Sequence, residues 1–170
     1  MRPAPIALAM LLAATCLPAR AYDAPDLDRL LKSNACPRCD LSDAELDGKA
    51  FPGADLAWSD FEKASLKGAD LKGANLERAT FSKADLSRAV LSGANLRESF
   101  LRKTILNGAK LDGAKLHLAV LRKAELPQAD LSGADLRDTG LNSEQIEVAR
   151  GDAQTKLPTG VKKPKGWTGC

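Results

Sequence analysis

The residues of this 170-residue chain best suited to chemistry are its cysteines. Cys36 and Cys39 form a CxxC motif, a spacing shared by structural disulfides and redox dithiols. A reactive dithiol usually has its first cysteine at a helix N-terminus, which lowers the thiol pKa. Here the motif follows a predicted helix. We therefore favour a disulfide staple over redox activity, and both a Cys36–Cys39 and a Cys39–Cys170 pairing fit.

Apart from the cysteines, the sequence offers no set of residues suited to catalysis or to metal binding. The only histidine is His117; it has no neighbouring serine or cysteine nucleophile, and we interpret it as a surface residue. A zinc site needs about four ligands, and beyond the CxxC pair only His117 and Cys170 remain. No phosphate-binding loop or nucleotide fingerprint is present. The sequence predicts a protein that is not an enzyme and has no cofactor or metal.

One period organises most of the chain. From Leu41 to Ile146 every fifth residue is Leu, Phe or Ile, over 22 consecutive positions. On a helix this step would scatter the side chains around the cylinder, and on a straight strand it would alternate them between two faces. They can share one core only if the chain bends inward after every short extended segment. The period therefore predicts a solenoid.

Two further positions of the five-residue unit support this prediction. Two residues before each central residue, 15 of 20 positions from Ala44 to Thr139 are alanine, and this spacing on extended chain points both side chains inward. Glycine recurs two residues after the centre, where a type II turn needs a positive φ. These corner glycines are Gly48, Gly53, Gly68, Gly73, Gly93, Gly108, Gly113 and Gly133. Lys49 departs from the pattern at an inward position, and we expect local irregularity there.

The units ADLSG, ANLER, ADLSR and ANLRE resemble the A(D/N)LXX unit of the pentapeptide repeat family. The resemblance covers residues 40–146. It implies an all-β solenoid, a right-handed quadrilateral parallel β-helix with four units per coil and about five and a half coils. We expect short helical caps at both ends, because an open solenoid end exposes its core and strand edges.

The remaining segments flank this β-helix. Residues 1–21 are predicted to be a secretory signal peptide, with a basic residue, an apolar run and an A-x-A cleavage site ending at Ala21; lipidation of Cys16 is the competing interpretation. Residues 22–39 hold a capping helix and the CxxC motif. Residues 142–170 hold a second helix, expected from Ser143 to Arg150, and an irregular tail with Trp167 as an anchor. The expected location is the bacterial periplasm or the exterior.

Charge restricts the partners. The formal charge of +3 falls to about +1 without the predicted signal, which argues against nucleic-acid binding, and no other segment is apolar enough for membrane insertion. Residues 20 apart should stack on one face, which gives a candidate interaction stripe beside an N-terminal group of acids. Its members are Lys63, Lys83, Lys103, Lys123, Arg102, Arg122, Phe100 and Val120. A solvated face and a docking stripe for an acidic protein, anionic glycan or lipid headgroup both fit.

Two functions from different classes follow. The first is a non-catalytic secreted scaffold or interaction module whose partner is an unknown protein or envelope component. The second is a small periplasmic thiol-disulfide protein using Cys36 and Cys39. A third, suggested by family members that mimic DNA and bind a topoisomerase, conflicts with the equal numbers of acids and bases from Leu41 to Leu141. The sequence leaves open whether the protein is a monomer or a homodimer.

Overall fold

A computed structural model describes residues 22–167. The predicted signal peptide, Cys16 and Cys170 lie outside the described residues. Three helical elements are present in this range: α1 (Ala24–Ser33), α2 (Ser143–Glu147) and a short 3₁₀ helix, Lys165–Trp167. Between α1 and α2 the chain is a solenoid of parallel bridges.

The bridges join residues 20 apart, beginning with Ala35 to Asp55 and continuing to Asp130 with Arg150. A final bridge joins Asp135 to Lys156, a spacing of 21 that reflects one inserted residue. Each coil therefore contains four five-residue units. The pairing never lengthens into a continuous strand, because the turns consume most of each unit. The β-helix consists of single parallel bridges stacked in register.

The hydrogen bonds of one unit show how the coil is built. The Leu86 N–H donates to the Ile105 carbonyl of the next coil at 2.8 Å, and the Asp85 N–H donates back to Ala64 at 3.0 Å. The Ala89 N–H closes the corner on the Leu86 carbonyl at 3.0 Å. Arg88, at the third position of this turn, has φ 59°, as a type II turn requires. Every corner glycine predicted from the sequence also has a positive φ.

The central residues point inward and form four columns, which we use to number the faces. Face 1 holds Leu41, Phe61, Phe81, Leu101, Leu121 and Leu141; face 2 holds Leu46, Leu66, Leu86, Leu106, Leu126 and Ile146; face 3 holds Phe51, Leu71, Leu91, Leu111, Leu131 and Gly151; face 4 holds Cys36, Leu56, Leu76, Leu96, Leu116 and Leu136. All except Gly151 are buried. Phe61 and Phe81 stack with ring centroids 4.8 Å apart, a core contact.

The hydroxyl groups at inward positions of the repeat have hydrogen-bond partners. Ser59 donates to the Cys36 carbonyl at 2.7 Å, and Thr104 donates to the Phe81 carbonyl at 2.7 Å. Ser99 and Thr139 donate to the Leu96 and Leu136 carbonyls, three residues earlier in the preceding unit. A buried hydroxyl with a partner avoids the desolvation cost of an unpaired one, so these residues replace alanine without opening the core.

Lys49 does not disturb the backbone, in contrast to the expected irregularity. Its carbonyl accepts a 2.8 Å hydrogen bond from the Asp70 N–H, and its own N–H donates to Leu46. Its side chain is exposed although it occupies an inward position. Twenty residues earlier the chain is still in α1, so no coil lies below Lys49 to enclose it.

Helix α1 lies against the N-terminal end of the core. Asp23 caps it by accepting from the Asp26 N–H, and Asn34 ends it in the left-handed conformation. Leu30 is buried in the core cluster, and Leu27 packs against the cluster. The Asp40 N–H donates to an Asp26 carboxylate oxygen at 2.9 Å, which ties the helix to the first coil.

Helix α2 is shorter than the sequence predicts. Asn142 and Gln145 form a reciprocal capping box at its start, and Gln145 Nε2 donates to the Leu121 and Ala124 carbonyls of the coil before it. The helix stops at Glu147 and does not continue to Arg150. Arg150 instead rejoins the solenoid by pairing with Asp130, because that bridge satisfies backbone groups that a longer helix would leave open.

The tail completes the last coil. Thr155 is buried and donates to the Leu131 carbonyl at 3.0 Å. The Trp167 ring lies over Gly151, and its indole N–H donates to the Ala149 carbonyl at 3.4 Å. Gly151 occupies a central position where other units carry Leu or Phe. A side chain from the tail therefore fills the volume that the repeat leaves empty.

Within residues 22–167, no helix has the length and apolarity needed to cross a membrane.

Candidate interaction site

The candidate stripe lies on face 1 and the corner that follows it. Phe100 and Val120 point outward in adjacent coils and are joined by a parallel bridge. Arg102 and Arg122 point outward on the other side of the central leucines, and both are exposed. The corner carries Lys63, Lys83, Lys103 and Lys123, each with a positive φ. The structure therefore brings all eight stripe residues to one side of the solenoid.

The charges of this stripe are compensated at one end only. Glu62 Oε1 lies 3.3 Å from Lys83 Nζ and 3.7 Å from Lys63 Nζ. Farther along the axis four exposed cations form no ion pair with any residue in 22–167. We call these four the basic edge: Arg102, Lys103, Arg122 and Lys123.

An open groove of about 630 Å³ lies beside the basic edge. We call it the apolar groove; it is lined by Trp58, Arg78, Thr80, Glu98, Phe100, Leu118 and Val120. Phe100 is 48% exposed, Leu118 48% and Trp58 50%. These are among the few large apolar side chains that the described residues expose, and their clustering in one groove is typical of a binding surface.

The backbone at Trp58 and Leu118 adds to this interpretation. Both residues occupy corners with φ near 65°, at 65° and 64° respectively. The left-handed region costs a residue with a side chain about 1 kcal/mol or more; glycine fills every corner from Gly53 to Gly133 on face 3, whereas lysine and arginine adopt the same conformation at other corners. Neither residue recovers this cost by burial, since about half of each side chain is exposed. Charged residues such as Lys83 and Arg88 adopt the same corner conformation, so Trp58 and Leu118 differ from them only in leaving a large apolar side chain half exposed.

Arg78 organises the wall of the groove. Its guanidinium carbon lies 4.5 Å from the Trp58 ring centroid, within the range of a cation–π contact. The same guanidinium forms an ion pair with Glu98, with Nη2 and Oε2 2.6 Å apart. Arg78 therefore contacts both Trp58 and Glu98, and the groove is already formed in the chain without a bound partner.

Sequence reasoning found Phe100 and Val120 but missed Trp58, Leu118, Arg78 and Glu98. These four occupy one corner column, because their numbers differ by multiples of 20. That corner directly precedes the column containing Phe100 and Val120. Applying the 20-residue register to the corner position would have placed them together.

The cysteine pair lies at the N-terminal end, away from the groove. Cys36 and Cys39 occupy the central and small inward positions of the first units, and their sulfur atoms lie within bonding distance. Both residues are buried. Arg29 of α1 donates to the Cys36 sulfur at 3.3 Å and to the Cys39 sulfur at 2.8 Å, so the helix covers the pair.

We expect alkylation of the oxidised protein, without reduction, to leave Cys36 and Cys39 unmodified and to modify Cys170. The pairing closes a four-residue loop, and its cross-link should contribute about 2 kcal/mol of stability in the chain-entropy description. The variant Cys36→Ala/Cys39→Ala should therefore melt at a lower temperature, whereas Cys170→Ala should not. Alkylation of all three thiols would contradict the pairing.

Three side chains that could bind a metal ion lie close together at the junction of α1 and the first coil. The ligand atoms of Asp26, Cys36 and Cys39 are within 4.8 Å of one another. Thiolate, not a bonded sulfur, is the form that binds metals, and here the sulfurs lie within bonding distance of each other. The Arg29 guanidinium also donates into the group and pairs with Asp26. A cation would be repelled at this place, so the group packs as part of the cap.

His117 and the perturbed carboxylates have structural roles. His117 Nδ1 lies 3.3 Å from the Arg137 carbonyl. Hydrogen bonding from the Arg137 side chain, together with its positive charge and that of Lys156, lowers the pKa of Asp135 to about 2. Hydrogen bonds from Ser65 and from the Gly133 backbone lower the pKa values of Asp47 and Asp152. These carboxylates are therefore ionised at neutral pH and are poorly suited to general acid–base catalysis.

Comparisons with known proteins agree with this architecture. A family model described as pentapeptide repeats matches in 8 copies, over residues 39–78, 69–108 and 106–138. The pentapeptide repeat protein Rfr23 of the cyanobacterium Cyanothece 51142 is 24% identical, over 78% of this chain and 97% of its own, with a TM-score of 0.53. A pentapeptide repeat protein of the Arabidopsis thaliana thylakoid lumen is 29% identical, over 71% of this chain and 81% of its own, with a TM-score of 0.52.

A search among curated proteins gave no significant match. The family assignment therefore depends on the repeat units themselves, while the solved structures support the fold. With the matched units covering more than half of its length, the chain belongs to the pentapeptide repeat family.

Proposed function

We propose that this protein is a non-catalytic scaffold of the bacterial periplasm or exterior, and that it binds a partner through the apolar groove and the basic edge. The signal-like residues 1–21 and the CxxC motif support export, since disulfides persist in oxidising compartments. In this proposal α1 and α2 serve as caps. They leave the four faces of the β-helix as the surfaces available for binding.

One observation carries the proposal: the half-exposed apolar side chains of Trp58, Phe100 and Leu118 share one side of the solenoid with four cations that form no ion pair in the described chain. Apolar side chains left in water and clustered like charges are both unfavourable. A partner that covers the groove and neutralises the basic edge would offset both. Natural proteins concentrate such local penalties at functional sites.

A rigid surface also suits this function. Neighbouring coils are joined by backbone hydrogen bonds at three positions of each unit, as at Leu86, Arg88 and Asp85. The side chains above them therefore keep fixed positions along the axis. Preorganisation of this kind reduces the entropy that a surface loses when it binds.

The thiol-disulfide alternative has one observation in its favour. Arg29 donates to both sulfurs, and a nearby guanidinium lowers the pKa of a reduced cysteine thiol. Exchange also requires a thiolate to reach one sulfur, yet both cysteines are buried under α1. An insulin-reduction assay on wild type and Cys36→Ser tests this alternative, and activity that disappears in the variant would support it.

The binding proposal is tested by reversing the charges of the corner lysines. We expect Lys83→Glu/Lys103→Glu/Lys123→Glu to lose most of the partner that the wild type captures from native envelope extract, with bound proteins quantified by mass spectrometry. The matched control is Lys49→Glu/Lys72→Glu/Lys110→Glu, which makes the same charge change at exposed positions associated with face 3. Equal capture by wild type and the corner variant would exclude the stripe as the binding surface.

A further inference from the structure

We propose that the partner segment is an acidic amphipathic α-helix of another protein, lying along the solenoid axis with its apolar side in the groove and its carboxylates at the basic edge. This inference rests on the proposed function, because it specifies what occupies the same surface. The bound segment has a defined secondary structure, a negative charge and an orientation parallel to the solenoid axis.

Charge complementarity indicates an acidic occupant. Arg102 and Lys103 lie one coil from Arg122 and Lys123, and all four are exposed without ion pairs in the described part of the chain. The neighbouring Lys83 already has a partner in Glu62. Carboxylates brought to the four free cations would remove like-charge repulsion and add charge-assisted hydrogen bonds. Arginine is well suited to this, since its guanidinium binds a carboxylate through two parallel hydrogen bonds.

The apolar groove requires that the partner segment also carry an apolar side next to its acidic side. Phe100 and Val120 lie directly beside Arg102 and Arg122 across the central leucines, and Leu118 lies at the adjoining corner. A segment that reaches both surfaces must carry acidic and apolar residues on adjacent sides. An amphipathic helix has this distribution by construction, and recognition of such helices by apolar grooves is a common binding mode.

Axial spacing favours a helix over an extended peptide. Equivalent side chains of the solenoid repeat once per coil, about every 4.8 Å. Same-side residues of an α-helix, three or four apart, repeat at about 4.5 to 6 Å along its axis. Same-side residues of an extended strand repeat at about 6.7 Å, which falls out of step within two coils. A helix parallel to the axis stays in register.

The length of the groove sets the length of the contact. Trp58 and Leu118 are three coils apart in the same corner column, a separation of about 14 Å. At about 1.5 Å per residue this corresponds to roughly ten helical residues. A segment of nearly three turns therefore covers the groove.

A second copy of this chain and a lipid surface fit less well. A symmetric pairing centred on the basic edge would set one basic edge against another, which repulsion disfavours. A bilayer could attract the cations, but the groove is walled by the Arg78–Glu98 ion pair. Bringing that pair to hydrocarbon would cost desolvation energy.

The probe is a fluorescently labelled 14-residue peptide designed as a helix, with glutamates on one side and leucines on the adjacent side. A scrambled peptide of identical composition, without the two-sided pattern, is its control. Fluorescence anisotropy measures binding to the oxidised full-length protein. We expect the patterned peptide to bind at least tenfold more tightly than the scrambled one, and its binding to weaken as salt screens the charges.

Variants locate the contact. Arg102→Glu/Arg122→Glu and Phe100→Asp should each weaken patterned-peptide binding at least tenfold, as expected for loss of a central contact. Phe100→Ser is a milder substitution at the same half-exposed position and should also weaken it. Lys72→Glu/Lys110→Glu, with the same charge change on face 3, should bind within twofold of wild type. Trp58 emission should shift to shorter wavelength as the peptide covers the ring.

Other outcomes would overturn the inference. Equal binding of both peptides would show that charge alone acts, and Phe100-dependent sedimentation with phosphatidylglycerol vesicles but no peptide binding would assign the groove to lipid. Concentration-dependent dimerisation abolished by Phe100→Asp would assign it to a second copy. If the corner-lysine variant loses its natural partner while wild type ignores the patterned peptide, the helix inference fails and the proposed function stands.

Discussion

Replacing Leu86 with lysine is expected to unfold the middle coils. Leu86 is fully buried in the face 2 column, so the substitution removes about 2 kcal/mol of apolar burial. It also places a cation among Leu66, Leu106 and the neighbouring alanines, all of which are buried. An unpaired buried charge costs several kcal/mol more. The sum approaches the whole stability of a typical domain, about 5 to 15 kcal/mol.

The matched control is Val90→Lys. Val90 belongs to the same middle coils and bridges Asp70 and Lys110 on the outside of face 3. Lysine is already present at the equivalent position of the next coil, so this variant should melt within a few degrees of wild type. Circular dichroism on heating measures both variants. A Leu86→Lys protein as stable as Val90→Lys would show that the central residues do not form the core.

The pair Gly151 and Trp167 supplies the second large effect. A Cβ at Gly151 would lie 2.5 Å from a Trp167 ring carbon, so Gly151→Leu should expel the ring. Trp167→Ala removes a nearly buried ring that is 4% exposed and should cost about 3 to 5 kcal/mol in the last coil. Each single substitution should destabilise the protein, although Gly151 lies outside the left-handed region and its backbone accepts a side chain.

The double variant Gly151→Leu/Trp167→Ala should recover part of the loss. With the ring absent, the introduced leucine can occupy the face 3 column above Leu131, as leucine does in earlier coils. We therefore expect a favourable coupling of about 1 kcal/mol or more between the two substitutions. Chemical denaturation of wild type, both single variants and the double variant measures it. Additive losses would mean that Trp167 and the repeat centre do not share one space.

These predictions separate the scaffold from its surface. Leu86 and Trp167 are buried and Gly151 lies against the Trp167 ring, whereas Phe100 and Arg102 are exposed in coils joined by the same backbone bonds. Substitutions at the groove should therefore change binding while leaving the melting temperature nearly unchanged. A solenoid permits this separation because each coil contacts only its neighbours, and its outward side chains contribute little to the core.

The five-residue period by itself determined the solenoid, its inward leucines and alanines, and its glycine corners. A residue's position within the unit decides whether it points inward, so Leu86, Ala89 and Gly93 could be placed without a structure. The stacking of Phe61 on Phe81 agrees with the 20-residue register that the family resemblance implies. These features depend on local geometry that every unit repeats.

Only the tertiary structure revealed the contacts made where the repeat is interrupted and the contacts between side chains of different columns. Trp167 reaches Gly151 through an irregular tail, and α2 stops at Glu147 because Arg150 pairs with an earlier coil. The groove combines Trp58 and Leu118 from a corner with Phe100 from a face, and Glu62 forms an ion pair with Lys83 but not with Lys103. The five-residue period determines whether each side chain points into the core or toward solvent. The contacts described here depend instead on the distances between side chains of different coils, and those distances are known only once the coils have packed.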